Sequence, residues 1–153
     1  MNGIQVWIAR FANVIGPKMT HGVIVDFVNK LKMNSNELLV LGDGLAKKPY
    51  VYVSDIINAI QKFVTESNTQ YNTIVIGNNS VTEVYKIAEM VITAMGVDAV
   101  IKHTASSNSW KGDVKEYSCA PTIINGVEFK CLYNSDDAVK QLSLIHISEP
   151  TRP

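Results

Sequence analysis

Apolar positions in this chain fall alternately into short continuous runs and into helical spacings. Ile4 to Ala9 is mostly apolar and rich in β-formers, which predicts a buried strand needing cover on both faces. Arg10 to Pro17 breaks that run, with Gly16-Pro17 as a turn signal. From His21 to Lys32, apolar residues at 23, 24, 27, 28 and 31 have the spacing of one helix face. Leu38 to Leu41 reads as a short strand running into Gly42-Asp43-Gly44, a glycine-flanked turn of hairpin type. Tyr50 to Val53 reads as a strand on which Tyr50 and Tyr52 serve packing. The helix after it, to about Thr65, has Ser54 and Asp55 as candidate caps and Ile56, Ile57, Ile60 and Val64 on one face. Asn72 to Ile76 is a further strand. Ser80-Val81-Thr82-Glu83 has the form of a capping box opening a helix to about Met95, with Gly96 placed to end it. Ala99 to His103 and Val127 to Leu132 are the last strands, and Ser135-Asp136-Asp137 opens a final helix. Alternating strands and helices predict an α/β layer structure.

Bulk properties narrow the function classes. The chain has 153 residues, about one domain's worth, and is 46% hydrophobic and 18% charged, as fits a soluble globular core. Lys+Arg and Asp+Glu both number 14, so no basic excess argues for nucleic acid or an anionic membrane surface. No run of about 18 apolar residues predicts a transmembrane helix, and the first residues do not read as a signal peptide. Cys119 and Cys131, the two cysteines, do not make a disulfide framework, and a reduced, cytoplasmic setting fits them. Three scattered histidines and two cysteines lack metal-ligand spacing, and no serine triad or Cys/His nucleophile pair stands out.

The end of the chain reads differently. Leu142 to Arg152 resembles the translation of a transposase-type sequencing adapter. The expectation is therefore a native segment over residues 1–141 and a non-native tail over 142–153, with Met1 not the natural start.

Three blocks in order carry a family resemblance. The first is Arg10-x-x-Asn13-Val14-x-Gly16-Pro17 after a strand. The second is Leu41-Gly42-Asp43-Gly44, four residues, then Tyr50-Val51-Tyr52-Val53-Ser54-Asp55. The third is Trp110-Lys111-Gly112-Asp113-Val114. Together they resemble the extended short-chain dehydrogenases of the NAD-dependent epimerase/dehydratase type, and His21 to Leu31 is similar to the UDP-glucose 4-epimerase-like branch. The resemblance implies a fold made of a partial Rossmann-type sheet remnant plus a small α/β substrate-binding lobe. It also implies a nucleotide-sugar ligand, NAD as the parent's cofactor, and site roles for particular residues.

By that resemblance Asn13, just past a strand end where open α/β sheets place ligands, donates to the diphosphate or sugar. An asparagine stabilising a turn is the alternative. Leu39 and Val40 lie along the nucleotide base. Lys48 stands where the family has a diphosphate-binding Arg, keeping charge but not the planar fork, and Lys47 makes that placement ambiguous by one position. Lys111 replaces the usual cation of a loop that closes on substrate, with Asp113 beside it, unless Trp110 packs and Lys111 is solvated. His21, ahead of a helix, is placed to approach the substrate. Asp55 reads as a helix N-terminal carboxylate rather than a catalytic group.

The family's chemistry passes a hydride between NAD and a sugar carbon, using a Tyr acid/base whose pKa a Lys four residues on lowers. None of the six tyrosines is followed by Lys at that spacing. No Gly-x-x-Gly-x-x-Gly is present either. No catalytic residue is expected here, and the chain alone is predicted inactive. Its parent is expected to be an enzyme whose reaction is epimerisation through transient oxidation, with dehydration, reduction or decarboxylation, or a non-catalytic binding module, as alternatives. Family members commonly dimerise through helices upstream of the matched blocks, so a homodimeric parent is compatible.

Overall fold

A computed structural model describes residues 3–104, 114–119, 123–124 and 127–148. The elements in order are β1 (Val6–Phe11), β2 (Asn13–Ile15), α1 (Val23–Met33), β3 (Glu37–Val40), β4 (Lys47–Lys48), β5 (Tyr50–Tyr52), α2 (Val53–Glu66), β6 (Tyr71–Ile76), β7 (Thr82–Glu83), α3 (Val84–Met95), β8 (Val100–His103), β9 (Ile123–Ile124), β10 (Val127–Glu128) and α4 (Ser135–Ser148). Three pairs are parallel, β1–β6, β2–β5 and β3–β8, while β4–β7 and β9–β10 are antiparallel. Parallel pairing between strands separated by helices makes the architecture α/β.

Two apolar clusters form the interior. One gathers Ile24, Phe27, Val28 and Leu31 of α1, Ile87, Ala88 and Val91 of α3, and Ala138, Val139 and Leu142 of α4 around Leu38 and Val40 of β3. The other packs Ile56, Ala59 and Phe63 of α2 against Ile74 and Ile76 of β6. The i, i+3, i+4, i+7 spacing on α1 is the stripe expected from sequence, because only that spacing keeps one face inward. Between the clusters stands the β2–β5 pair. Ile15 and Tyr50 belong to the first cluster, whereas Val51 belongs to the second and Val14 packs against it. Side chains alternate across a strand, so this short pair serves both cores at once.

Several expectations are corrected. The first strand begins at Val6 rather than Ile4 and runs to Phe11, because its pairing with β6 continues to Phe11↔Ile76. The apolar run therefore does not end at Arg10. The chain steps sideways at Ala12, whose N–H donates to Ile76 O at 3.1 Å, and Asn13 then starts a second strand. Gly42-Asp43-Gly44 is not a hairpin loop, since β3 pairs with β8 and β4 pairs with β7. The capping box does not form. Thr82 and Glu83 are held extended against Lys48 and Lys47, which delays α3 to Val84 with no side-chain cap. Neither Ser54 nor Asp55 caps α2, whose N-cap is Tyr52. The last strand reaches only from Val127 to Glu128.

Gly96 does end α3. Its φ of 64° is left-handed, and its N–H turns back to Thr93 O at 3.1 Å. Asn134 caps α4, its Oδ1 accepting the Asp137 N–H at 2.9 Å.

Candidate functional site

Strand pairing ties Asn13 to the segment that follows Lys48. In the β2–β5 ladder Asn13 sits opposite Tyr50, and its N–H donates to Pro49 O at 3.3 Å, one residue from Lys48. The Asn13 side chain has a further property. Its Nδ2 is buried and has no hydrogen-bond partner in the protein. An unpaired buried amide donor costs about 1–3 kcal/mol, so such a group is a natural place for a ligand acceptor or an ordered water.

Lys47 and Lys48 both lie on β4. Lys47 Nζ lies 3.2 Å from Glu83 Oε1 across the β4–β7 pair. Adjacent strand residues point to opposite sides, so Lys48, half-buried, faces away from that ion pair.

Lys111 and Asp113 lie outside the described residues, but both flanks of their segment are placed. On entry, the Thr104 N–H donates to Val40 O at 3.1 Å and the Thr104 Oγ1 accepts the Gly42 N–H at 2.8 Å. On exit, Lys115 O accepts the Lys47 N–H at 2.6 Å, and Lys115 Nζ lies 3.8 Å from Asp43 Oδ2. Glu116 bridges to Lys47. Thr104 and Lys115, described on either side of that segment, are thus both tied to the turn between β3 and β4.

The other expected residues divide. Leu39 is 41% exposed and opposes Lys102 on the open face of β3–β8. Val40 alternates inward and is fully buried in the first cluster, so its side chain belongs to the core and its carbonyl to Thr104. His21 is exposed beside Thr20 Oγ1 at 3.4 Å, and no described contact brings it to Asn13 or Lys48. Asp55 is 1% exposed in the first turn of α2. Its Oδ2 accepts the Tyr133 N–H at 3.3 Å, and its Oδ1 has no partner. Burial, and next the Asp55 charge, pushes the Cys131 thiol up to about 11.

A cleft of 360 Å³ lies elsewhere, lined by Gly77, Asn78, Cys131, Tyr133 and Asn134 among others. It includes none of Asn13, Leu39 or Lys48, so it is not the site these residues build.

Sequence reasoning passed over three buried polar side chains next to β5, Asn78, Thr82 and Ser135. Thr82 read as part of a capping box and Ser135 as a helix start. The signal that they were core residues is tertiary, since each satisfies backbone or side-chain groups far along the chain.

Among the described residues, neither β1 nor β5 offers the strand-to-helix turn that a dinucleotide cofactor takes. Its pyrophosphate needs a glycine-rich turn between a strand and a helix N-terminus. Here β1 leads into another strand, and α2 follows β5 directly with Tyr52 as its N-cap. Among the described residues no cluster could hold a metal ion, and no helix is long and apolar enough to cross a membrane.

With this geometry in view, the relatives can be compared. The fold superposes on that of a UDP-galactose 4-epimerase with a TM-score of 0.78 and 31% identity, over 93% of this chain and 46% of that one. The UDP-glucose 4-epimerase of Thermotoga maritima, solved with UDP-glucose, shares the fold at a TM-score of 0.71 and 22% identity, over 92% of this chain and 45% of that one. A Bacillus subtilis protein described as an uncharacterized UDP-glucose epimerase is 24% identical over 113 residues, 71% of this chain and 36% of its own length. The chain thus spans less than half the length of these relatives. Residues 1–77, which contain both the Asn13 and the Lys48 blocks, match the NAD dependent epimerase/dehydratase family, and the chain belongs to that family.

Proposed function

We propose that this chain is the nucleotide-sugar-binding half of an NAD-dependent epimerase/dehydratase. The observation that carries the reading is the buried, unpartnered Nδ2 of Asn13, whose own N–H donates to Pro49 O, the residue after Lys48. An amide donor just past the C-terminal end of β1 and an ammonium on β4 suit a sugar diphosphate. Leu39, exposed on β3, offers an apolar surface to a nucleotide base. Lys111 and Asp113 would complete the grip from the segment whose two ends are tied to the β3–β4 turn.

In this reading the chain binds and orients. Redox chemistry at the sugar, the dinucleotide and the acid/base tyrosine belong to a second half, and NAD is the cofactor of the assembled parent. Two further observations favour that division. Relatives extend well beyond the matched part, since this chain covers 46% of the UDP-galactose 4-epimerase. Among the described residues one face of β1–β6 is also bare, with Val6, Ile8 and Tyr71 exposed at 38%, 54% and 73%. Strands of parallel sheets are ordinarily covered on both faces. We further propose that residues 142–153 are a non-native tail.

The test is co-expression with the amino-terminal half of a family member, followed by titration with UDP-glucose or UDP-galactose and an NAD-dependent epimerase assay. Saturable binding and turnover are expected. Asn13→Ala should weaken binding on the order of tenfold, the equivalent of one good hydrogen bond. Absence of both binding and turnover in a complex shown to assemble would sink the proposal.

A further inference from the structure

The strand that carries Asn13 is held by β5, and β5 is held on its other edge by side chains rather than by a strand. Tyr50 pairs with Asn13 on one side. Backbone groups in a strand point alternately to its two edges, so the N–H and C=O of Tyr50 face away from β2. Its N–H donates to Ser135 Oγ at 3.1 Å, and its C=O accepts from Asn78 Nδ2 at 3.2 Å. Both side chains are almost fully buried, Asn78 at 7% exposure and Ser135 at 0%.

The bonds close into a ring. The Asn78 Oδ1 accepts from Ser80 Oγ at 3.0 Å, and Ser80 Oγ accepts the Ser135 N–H at 2.7 Å. From Ser135 a directed chain leads outward. Its hydroxyl accepts from Tyr50 and is 2.6 Å from Thr82 Oγ1, which donates to Asp136 Oδ1 at 2.8 Å. Lys86 Nζ, 2.5 Å from Asp136 Oδ2, ends the chain. Each proton has one direction in which all bonds are made, so the ring and chain favour a single geometry for β5. The second Asn78 Nδ2 hydrogen goes to Tyr133 O at 2.8 Å, which fixes the same amide against the segment ahead of α4.

We infer that Asn78 and Ser135 are positioning residues for the candidate site: through the two backbone groups of Tyr50 they set where β5 lies, and so where Asn13 presents its amide. The inference rests on the proposed role of Asn13 for its functional meaning, but not for its physical content. Asn78 has to be an amide, because it spends both hydrogens on carbonyl oxygens. A carboxylate of the same shape would face those oxygens with no hydrogen to give.

The experiment is residue-resolved amide hydrogen exchange on Asn78→Asp and Ser135→Ala, with UDP-glucose titration of each. In both variants the amides of Asn13 and Tyr50 should exchange on the order of tenfold faster, while those of the β3–β8 pair keep their protection. UDP-glucose affinity should fall with them. A general loss of stability would speed all these amides together and so would overturn the inference, as would unchanged exchange at Asn13. Ser135→Ala deletes one hydroxyl and decides the matter if Asn78→Asp does not fold. If the unmodified chain binds no UDP-glucose even when complemented, the functional proposal fails, while the exchange rates still accept or reject the positioning role.

Discussion

Asp136 shows how much one side chain's setting decides. Burial works to raise its carboxyl pKa, but the Lys86 ammonium and the Thr82 hydroxyl outweigh it and hold the group below the ordinary value of 3.8. Lys86 is raised above 10.5, chiefly by its hydrogen bond to Asp136. A depressed carboxyl contributes stability that is complete above its unfolded pKa and is lost as pH falls through the folded one. A raised ammonium contributes stability that is complete below its unfolded pKa and is lost as pH rises through the folded one. The pair therefore helps the fold between about pH 4 and pH 10. Urea unfolding of Asp136→Asn should show its deficit at about pH 7 and a much smaller one at about pH 3, where the native carboxyl begins to protonate. An equal deficit at both values would mean that the charge contributes nothing. Nothing local points to this pairing, because Lys86 and Asp136 are 50 positions apart. What is legible at this scale is a local motif, and Asn13, which its block singles out, has a buried Nδ2 without a partner. Val40 was misplaced among contact residues, although the alternation of Leu38 and Val40 with Leu39 would have turned it inward.

At the scale of elements, helices and strands were mostly legible, because one face of each is paid in apolar residues at a fixed period. Starts were not. The Ser80–Glu83 pattern has the right letters for a cap, yet β4 claims Thr82 and Glu83 as strand partners, and tertiary pairing overrides the local preference. The final helix is the sharpest case. The adapter-like stretch begins at Leu142, yet α4 runs from Ser135 to Ser148 and buries Leu142 completely beside Ala138 and Val139. Origin and packing are separate questions, since any leucine one helical turn beyond Ala138 meets the same apolar groove. Leu142→Ala should then cost about 2–5 kcal/mol in a denaturation experiment. Leu132→Ala is the contrast, because Leu132 is 76% exposed, and it should change stability by less than about 0.5 kcal/mol. Comparable effects at the two positions would show that α4 does not pack as described.

On the scale of the whole molecule, the two clusters differ in how well they are enclosed. The first has three helices around it, α1, α3 and α4. The second has α2 on one side of β1–β6 and, among the described residues, little on the other, where Val6, Ile8 and Tyr71 stand exposed. Sequence could say that Ile4 to Ala9 wanted cover on both faces, but not which face this chain covers itself. Trp7 and Ala9 pack on the second cluster, which leaves the positions between them outward. A charge on the bare face separates folding of this chain from assembly with a second half. Ile8 is 54% exposed, so Ile8→Glu buries no charge in the chain by itself and should shift its stability by no more than about 0.5 kcal/mol. Docked against another sheet layer, the same carboxylate would lose its water without a partner, at a cost of several kcal/mol. Ile8→Glu should accordingly unfold at nearly the same urea concentration as the parent chain while failing to co-purify with a complementing amino-terminal half. Full assembly with Glu at position 8 would place the second half elsewhere and leave the bare face unexplained by it.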